Sequence, residues 1–272
     1  MPKARKQFAQ HWLRSEQALS QIVTAANLQP SDRLLEIGPG TGILTQQLLP
    51  QVQSLVAVEI DRNLCKLLVK KLGKIDNFLL LQGDFLSLDI DKLLVSFPKF
   101  QQPNKVVANI PYNITGPILE KLLGSIAQPA VPGFDLIVLL LQQEVAQRLC
   151  AQPGSRTFGA LSVRVQYLAE CQFICHVPAK AFSPPPKVDS AVVRLHPQLV
   201  QPPAKEPKYL ETLLKLGFAS KRKMLRNNLK SVVERDRLTQ LLEQLEIDSL
   251  ARAEDLSVAQ WVNLSDKLPI LK

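Results

Sequence analysis

Residues 109–112 read Asn-Ile-Pro-Tyr, and each residue type there has a chemical use. The Asn109 side-chain oxygen and the Ile110 main-chain carbonyl can together accept both hydrogens of an exocyclic amine. Such an amine is a poor nucleophile, because its lone pair is delocalised into the aromatic ring. Two acceptors favour a more tetrahedral nitrogen, with its lone pair aimed at an electrophile. Pro111 fixes its own φ and restricts Ile110, so that the carbonyl is directed. Tyr112 offers a face on which an extruded base can stack. No strong general base is required, since the alkylated amine is briefly cationic and sheds its proton after transfer. Positioning and polar preorganisation would carry most of the rate. In isolation the same residues would read as an Asn-Pro turn beside a core tyrosine, so the preceding segments decide.

Three earlier strand-like runs also end in groups suited to a ligand. The first runs into Glu36-Ile37-Gly38-Pro39-Gly40-Thr41-Gly42. Glycines at a strand-to-helix turn let the backbone approach a ligand closely. The spacing is G-x-G-x-G, not the dinucleotide G-x-G-x-x-G, and Pro39 lacks an amide donor. The second run ends in Glu59, an acid placed to accept hydrogen bonds from both ribose hydroxyls. The third is followed by Gly83-Asp84-Phe85, where the carboxylate could accept from an adenine amine with Ile60 or Phe85 packing on the ring. Each acid alone reads equally as a helix cap. Gly, Glu and Asp at three successive strand ends point together to a nucleoside without a pyrophosphate, such as S-adenosylmethionine, whose methyl sulfonium is the electrophile that the tetrad needs.

The elements that must position these groups are legible from periodicity. RLLEI (33–37), SLVAVEI (54–60), FLLLQ (78–82), KVVANI (105–110) and DLIVLLL (135–141) are near-continuously apolar. That is the pattern of strands covered on both faces in a parallel sheet. Helical patterns lie between them, with Ala18, Leu19, Ile22, Val23 and Ala26 on one face and Leu64, Leu67, Leu68 and Leu72 on another. The alternation predicts an α/β domain with a mostly parallel central sheet, and VDSAVVRL (188–195) reads as a last strand. Pro197, Pro202, Pro203 and Pro207 then break regular structure, and only helical patterns follow. The boundary falls near residue 200, giving a domain over 1–200 and a small all-helical domain over 201–272.

Composition narrows the class. The longest aliphatic run, Leu136 to Leu141, is six residues, where a membrane helix needs about 20. The basic start has no apolar core of signal-peptide length, which points to a cytoplasmic protein. The formal charge is +9, a balance that favours a polyanionic partner, nucleic acid before membrane. Residues 205 to 237 alone hold ten Lys or Arg against four Asp or Glu. Four cysteines, at 65, 150, 171 and 175, form no CxxC pair. Cys171, Cys175 and His176 lack a fourth ligand for a closed zinc site, so reduced thiols and no metal are expected.

These motifs resemble those of the KsgA/RsmA family of ribosomal RNA adenine dimethyltransferases, over nearly the whole chain. RKQFAQHWL (5–13), LLEIGPGTGILT, AVEID, GDF, NIPYNI, QQEVAQRL, FGALSVRVQY and AFSPPPKVDSAVVRL (181–195) all have family counterparts, as does the basic GFASKRKMLRNNL. The resemblance implies a Rossmann-like class I methyltransferase domain. It implies that His11 and Leu13 line the methionine side of S-adenosylmethionine, that Gly38 lies against the cofactor, that Glu59 holds the ribose and Asp84 the adenine amine. Asn109 would touch both cofactor and target amine. Phe182 would be a second aromatic facing the target base, opposite Tyr112; on residue type alone it is a hydrophobic anchor before the rigid Pro184–Pro186 stretch. Ala9 departs from the pattern, standing where the family has glycine. If φ is positive there, Ala costs about 1 kcal/mol or more.

The implied reaction is dimethylation of the N6 amines of two adjacent adenosines in the 3′-terminal hairpin of small-subunit rRNA, with a role in subunit biogenesis. Lys221, Arg222, Lys223, Arg226 and Lys230 would supply heads to phosphate, with Lys223, Asn227 and Lys230 on one helix face. Lys3, Arg5, Lys6 and Arg14 would extend that surface. The related large-subunit rRNA methyltransferases of macrolide resistance share the tetrad. A non-catalytic assembly or transcription factor on the same fold, and a nicotinamide oxidoreductase, are the other classes. The intact tetrad and the missing G-x-G-x-x-G weigh against them. No segment reads as an interface helix, so a monomer is expected.

Overall fold

A computed structural model of the chain describes residues 10–130 and 133–269. Ala9, Lys3, Arg5 and Lys6 lie outside the described residues. The strands are β1 Trp12–Leu13, β2 Arg33–Ile37, β3 Ser54–Glu59, β4 Phe78–Gln82, β5 Lys105–Asn109, β6 Leu136–Gln142, β7 Ala169–Val177, β8 Phe182–Ser183 and β9 Ser190–Pro197. Seven of them form one sheet in the order β4-β3-β2-β5-β6-β9-β7, and β1 pairs with β8 apart from it. Pairing is parallel from β4 through β6, and β9 runs antiparallel to β6. The described residues of Met1–Leu122, Pro132–Ala146 and Gln172–Pro197 form one compact unit. Those of Leu123–Val131, Gln147–Cys171 and Gln198–Lys272 form a second. The helical tail is thus joined in its unit by two earlier stretches, while its own start lies at Gln198.

Helices α1 Glu16–Ala26, α2 Ile43–Leu48, α3 Arg62–Leu72, α4 Ile90–Leu94, α5 Thr115–Leu123 and α6 Gln143–Leu149 alternate with the strands, α5 belonging to the first unit as far as Leu122 and α6 as far as Ala146. All six residues of β3 are buried, as the uninterrupted apolar run requires. The starts of α1, α3 and α4 carry side-chain caps. Ser15 accepts from the Ala18 amide, Asp61 from Asn63 and Asp89 from Lys92. One ion pair sits at the starting ends of β2 and β5. Lys105 Nζ lies 2.8 Å from Asp32 Oδ2, and Asn104 Nδ2 donates to Asp32 Oδ1 at 2.9 Å. Burial works to raise the Asp32 pKa, but the bonds from Lys105 and Asn104 outweigh it and hold the carboxyl below its ordinary range.

β7 is absent from the sequence expectations. Its residues AECQFICHV are mostly part-exposed, because β7 is the end strand of the sheet, so no continuous apolar run announces it. The thiols of Cys65, Cys150, Cys171 and Cys175 are all free, Cys65 being buried and the others half-buried.

The second unit adds α7 Ala160–Leu168, α8 Pro207–Gly217, α9 Leu225–Asn228, α10 Arg235–Gln244 and α11 Val258–Lys267. Trp261, fully buried, is its anchor: Nε1 donates to Ala253 O at 3.3 Å. Gly217 faces that indole so closely that a Cβ would come within 2.5 Å of it, which is why the residue has no side chain. α9 is four residues long, so Lys223 and Lys230 lie outside it and do not share a helix face with Asn227. The cause is local. Met224 is extended and bridges to Arg252, and the Asn228 side chain donates to the carbonyls of Gly217 and Ser220, closing the segment into turns. No helix among the described residues is long and apolar enough to cross a membrane.

Candidate active site

The order of strands in the sheet places the chemistry. β4, β3, β2 and β5 are neighbours, and in chain order their ends lead to Gly38, Glu59, Asp84 and Asn109. Across the sheet the row therefore reads Asp84, Glu59, Gly38, Asn109. The strand order reverses between β2 and β5, and ligands of open α/β sheets bind at the carboxyl ends of strands at such a point. A cavity there is lined by His11, Leu13, Gly38, Glu59, Asp84 and Asn109. Ile110, Pro111 and Tyr112 line it as well.

The glycine turn has the conformation that demands glycine. Gly38, Gly40 and Gly42 have φ of +67°, +59° and +82°. A Cβ on Gly40 would also meet the Trp12 ring at 2.8 Å. Glu59 is 4% exposed. One of its oxygens accepts from Gly40 N at 3.1 Å and the other from Asp61 N at 2.9 Å. Burial raises its pKa, while those two amides pull the other way. The carboxylate is thereby fixed, with further lone pairs left to accept hydroxyls. Asp84 is exposed, and its Oδ1 accepts from Leu86 N at 3.0 Å.

The tetrad follows β5 directly. Ile110 is buried and its amide donates to Leu140 O at 3.2 Å, which fixes the Asn109–Ile110 peptide immediately before the Ile110 carbonyl. Tyr112 opens a short 3-10 turn that passes straight into α5, with Thr115 Oγ1 donating to Tyr112 O at 3.2 Å. Its hydroxyl lies 2.5 Å from Ser190 Oγ on β9. Burial raises the Tyr112 pKa, so the phenol is neutral.

Phe182 is not brought to the cavity. It is 4% exposed, packs in the hydrophobic core and pairs with Leu13 across β1 and β8. Its ring serves as the anchor that its residue type alone suggests. The ring parallel to Tyr112 is that of His11, with centroids 6.1 Å apart and planes 16° from parallel. His11 Nδ1 lies 2.8 Å from Pro184 O. A carbonyl only accepts, so Nδ1 carries the hydrogen. Of the basic cluster, Lys221, Arg222, Lys223 and Lys230 are exposed, whereas Arg226 is half-buried, with its Nε enclosed and without a partner.

Two residues on or beside this cavity had no role in the sequence reading. Glu36, 2% exposed, lines it with Oε2 unpartnered. Burial pushes its pKa up to about 8, and the Glu59 charge adds to the effect. The signal was present, an acid on the strand just before the glycine turn. Ser190 carried none, since its partner lies 78 residues away.

A mostly parallel sheet with a cavity at this point of strand reversal is the architecture of a Rossmann-like methyltransferase. Two solved structures share it across almost the full chain. A dimethyladenosine transferase from Plasmodium falciparum superposes with a TM-score of 0.76 at 26% identity, covering 93% of this chain and 96% of that one. The 23S rRNA methyltransferase ErmE does so at 0.74 and 27%, covering 94% and 99%. A family model described as ribosomal RNA adenine dimethylase matches residues 1–269. A ribosomal RNA small subunit methyltransferase A from Trichormus variabilis is 70% identical over 99% of this chain and all of its own length. One of the same name from Rippkaea orientalis is 63% identical over 98% of each. The chain belongs to the ribosomal RNA adenine dimethylase family and is a methyltransferase.

Proposed function

We propose that the protein transfers methyl groups from S-adenosylmethionine to the N6 atoms of two adjacent adenosines in the 3′-terminal hairpin of small-subunit rRNA, two methyls on each. It would act as a cytoplasmic monomer on small subunits during their biogenesis. The observation that carries this is the row Asp84, Glu59, Gly38 and Asn109 around one cavity, with Tyr112 beside it. The relatives at 63–70% identity, named for the small subunit, support that target over the large-subunit one.

The residues fit the cofactor. Glu36 Oε2 and Trp12 Nε1 are buried polar atoms without a partner on this cavity. The space over Gly38 is open, a Cβ there meeting nothing nearer than Asn109 O at 4.0 Å. Asp84 would accept from the adenine amine, Glu59 from the ribose hydroxyls and Glu36 from the ammonium. S-adenosylmethionine supplies an electrophilic methyl group when bound. Asn109 Oδ1 and the Ile110 carbonyl accept the two hydrogens of the target amine and direct its lone pair. Tyr112 stacks on the base, which must leave any duplex to reach the site. The proton departs after transfer, from a cationic nitrogen that needs no strong base. Exposed Lys221, Arg222, Lys223 and Lys230, with Arg226 less available, would hold phosphates.

The test is transfer of tritiated methyl to small subunits lacking dimethyladenosine, with nucleoside analysis of the product. Dimethyladenosine in the 3′-terminal hairpin is expected, and Asn109→Ala should abolish it while leaving RNA binding nearly intact. Near-normal turnover of that variant sinks the mechanism. Transfer only to large-subunit rRNA sinks the substrate.

A further inference from the structure

Lys121 lies in the last turn of α5, the helix that begins directly after the tetrad. Its ammonium makes three hydrogen bonds, to Phe85 O at 2.6 Å, Leu86 O at 3.3 Å and Leu88 O at 2.6 Å. It also stands over the Phe85 ring, 4.9 Å from the centroid. An ammonium has three donors, and here all three meet main-chain oxygens of one loop. That loop is the one that follows β4 and carries Asp84. It is closed on itself: the amides of Ser87 and Leu88 both donate to Asp84 O at 3.0 Å, and Ser87 Oγ donates to the same oxygen at 3.1 Å. A Cβ on Gly83 would strike Leu88 at 2.8 Å, so the loop is compact at its start as well. Asp84 and Phe85 both line the cavity.

We propose that Lys121 is a positioning residue for the adenine end of the cofactor site. This rests on the reading of that cavity as an S-adenosylmethionine site. Lys121 gathers the carbonyls of the loop onto one cation and so sets where the Asp84 carboxylate and the Phe85 ring stand. Because α5 carries Tyr112 just before its first turn and Lys121 in its last, one rigid helix spaces the target-base face from the adenine wall. A lysine suits the task better than an arginine. Three converging carbonyls match an ammonium, whereas a planar guanidinium spreads its donors in a fork.

The experiment compares the full-length wild type with Lys121→Met and Lys121→Arg. Calorimetry gives the Kd for S-adenosylhomocysteine and for its inosine analogue, which lacks the amine that Asp84 would bind. Initial rates give KM and kcat. In Lys121→Met the Kd for the adenosine compound should rise about tenfold, roughly the worth of one charge-assisted hydrogen bond. Its preference over the inosine compound should shrink, and kcat at saturating cofactor should stay within about twofold. Lys121→Arg should fall between. If Lys121→Met does not fold, the arginine variant is read by the same two quantities. Unchanged Kd and preference in a folded variant overturn the proposal, as does a lowered Tm with the preference intact, which marks a strut with no influence on the site. A wild type that binds neither compound overturns the cofactor reading together with this one. Binding by the wild type with no change in the variants overturns this one alone.

Discussion

The Tyr112 hydroxyl and Ser190 Oγ are 2.5 Å apart, joining the turn after β5 to the first residue of β9. Ser190 is fully buried, so its hydroxyl has a fixed place. The bond ties down the end of the phenol ring on whose face the base would stack. Ser190→Ala should therefore lower kcat about fivefold, the effect of losing one hydrogen bond of roughly 1 kcal/mol that orients a reacting partner. The Kd for S-adenosylmethionine should not move. Steady-state kinetics with calorimetry on the same preparation checks both.

Glu36 has its pKa pushed up to about 8 by burial, so at pH 7 it is mostly protonated before a ligand arrives. Pairing with a cofactor ammonium favours the carboxylate and drives the proton off. Binding by the wild type at pH 7 should release close to one proton. Glu36→Gln should release none and bind more weakly. Titration calorimetry in two buffers of different ionisation enthalpy counts the protons directly.

Lys105 and Asp32 form a buried pair at the opposite ends of the strands from the site. Lys105→Met would leave the buried Asp32 carboxylate without its counter-charge, which should cost up to about 3–5 kcal/mol of stability at pH 7. The Asp32 pKa is lowered in the wild type, so its contribution is full above the ordinary carboxylate range and is lost as pH falls through the folded value. In the variant the bonds from Asn104 and the Gln29 amide remain, but the bond and charge of Lys105 are lost, so burial weighs more, the pKa rises and protonation relieves the defect. The stability gap between the two proteins should accordingly narrow from pH 7 towards pH 3, as urea melts across that range would show.

Lys221, Lys223 and Lys230 are exposed cations on one unit. Changing all three to Ala should weaken binding to small subunits and flatten its dependence on salt, by about 0.7–0.9 in log–log slope for each phosphate that is no longer neutralised. Filter binding across a salt series measures the slope. Arg226→Ala, by contrast, should act mainly on stability, since its Nε is enclosed.

What the sequence determined by itself is local in origin. Near-continuous apolar runs announced β2 through β6, because a strand covered on both faces has few polar positions to spare. Glycine spacing announced the turn after β2, because positive φ is a property of single residues. The tetrad suggested a chemistry, because four adjacent residues would carry it. The tertiary structure decided whatever depends on partners far along the chain. His11 meets the Pro184 carbonyl across 173 residues and stacks where Phe182 was expected. Phe182 turned inward because its short strand pairs with Leu13 and both join the core. The basic segment after α8 became turns, because the Asn228 side chain and the Met224 bridge outcompete a helix there. Glu36 and Lys121 gained their places only when the sheet set four strand ends side by side. Residue type names what a group can do; the sheet order decides which groups can do it together.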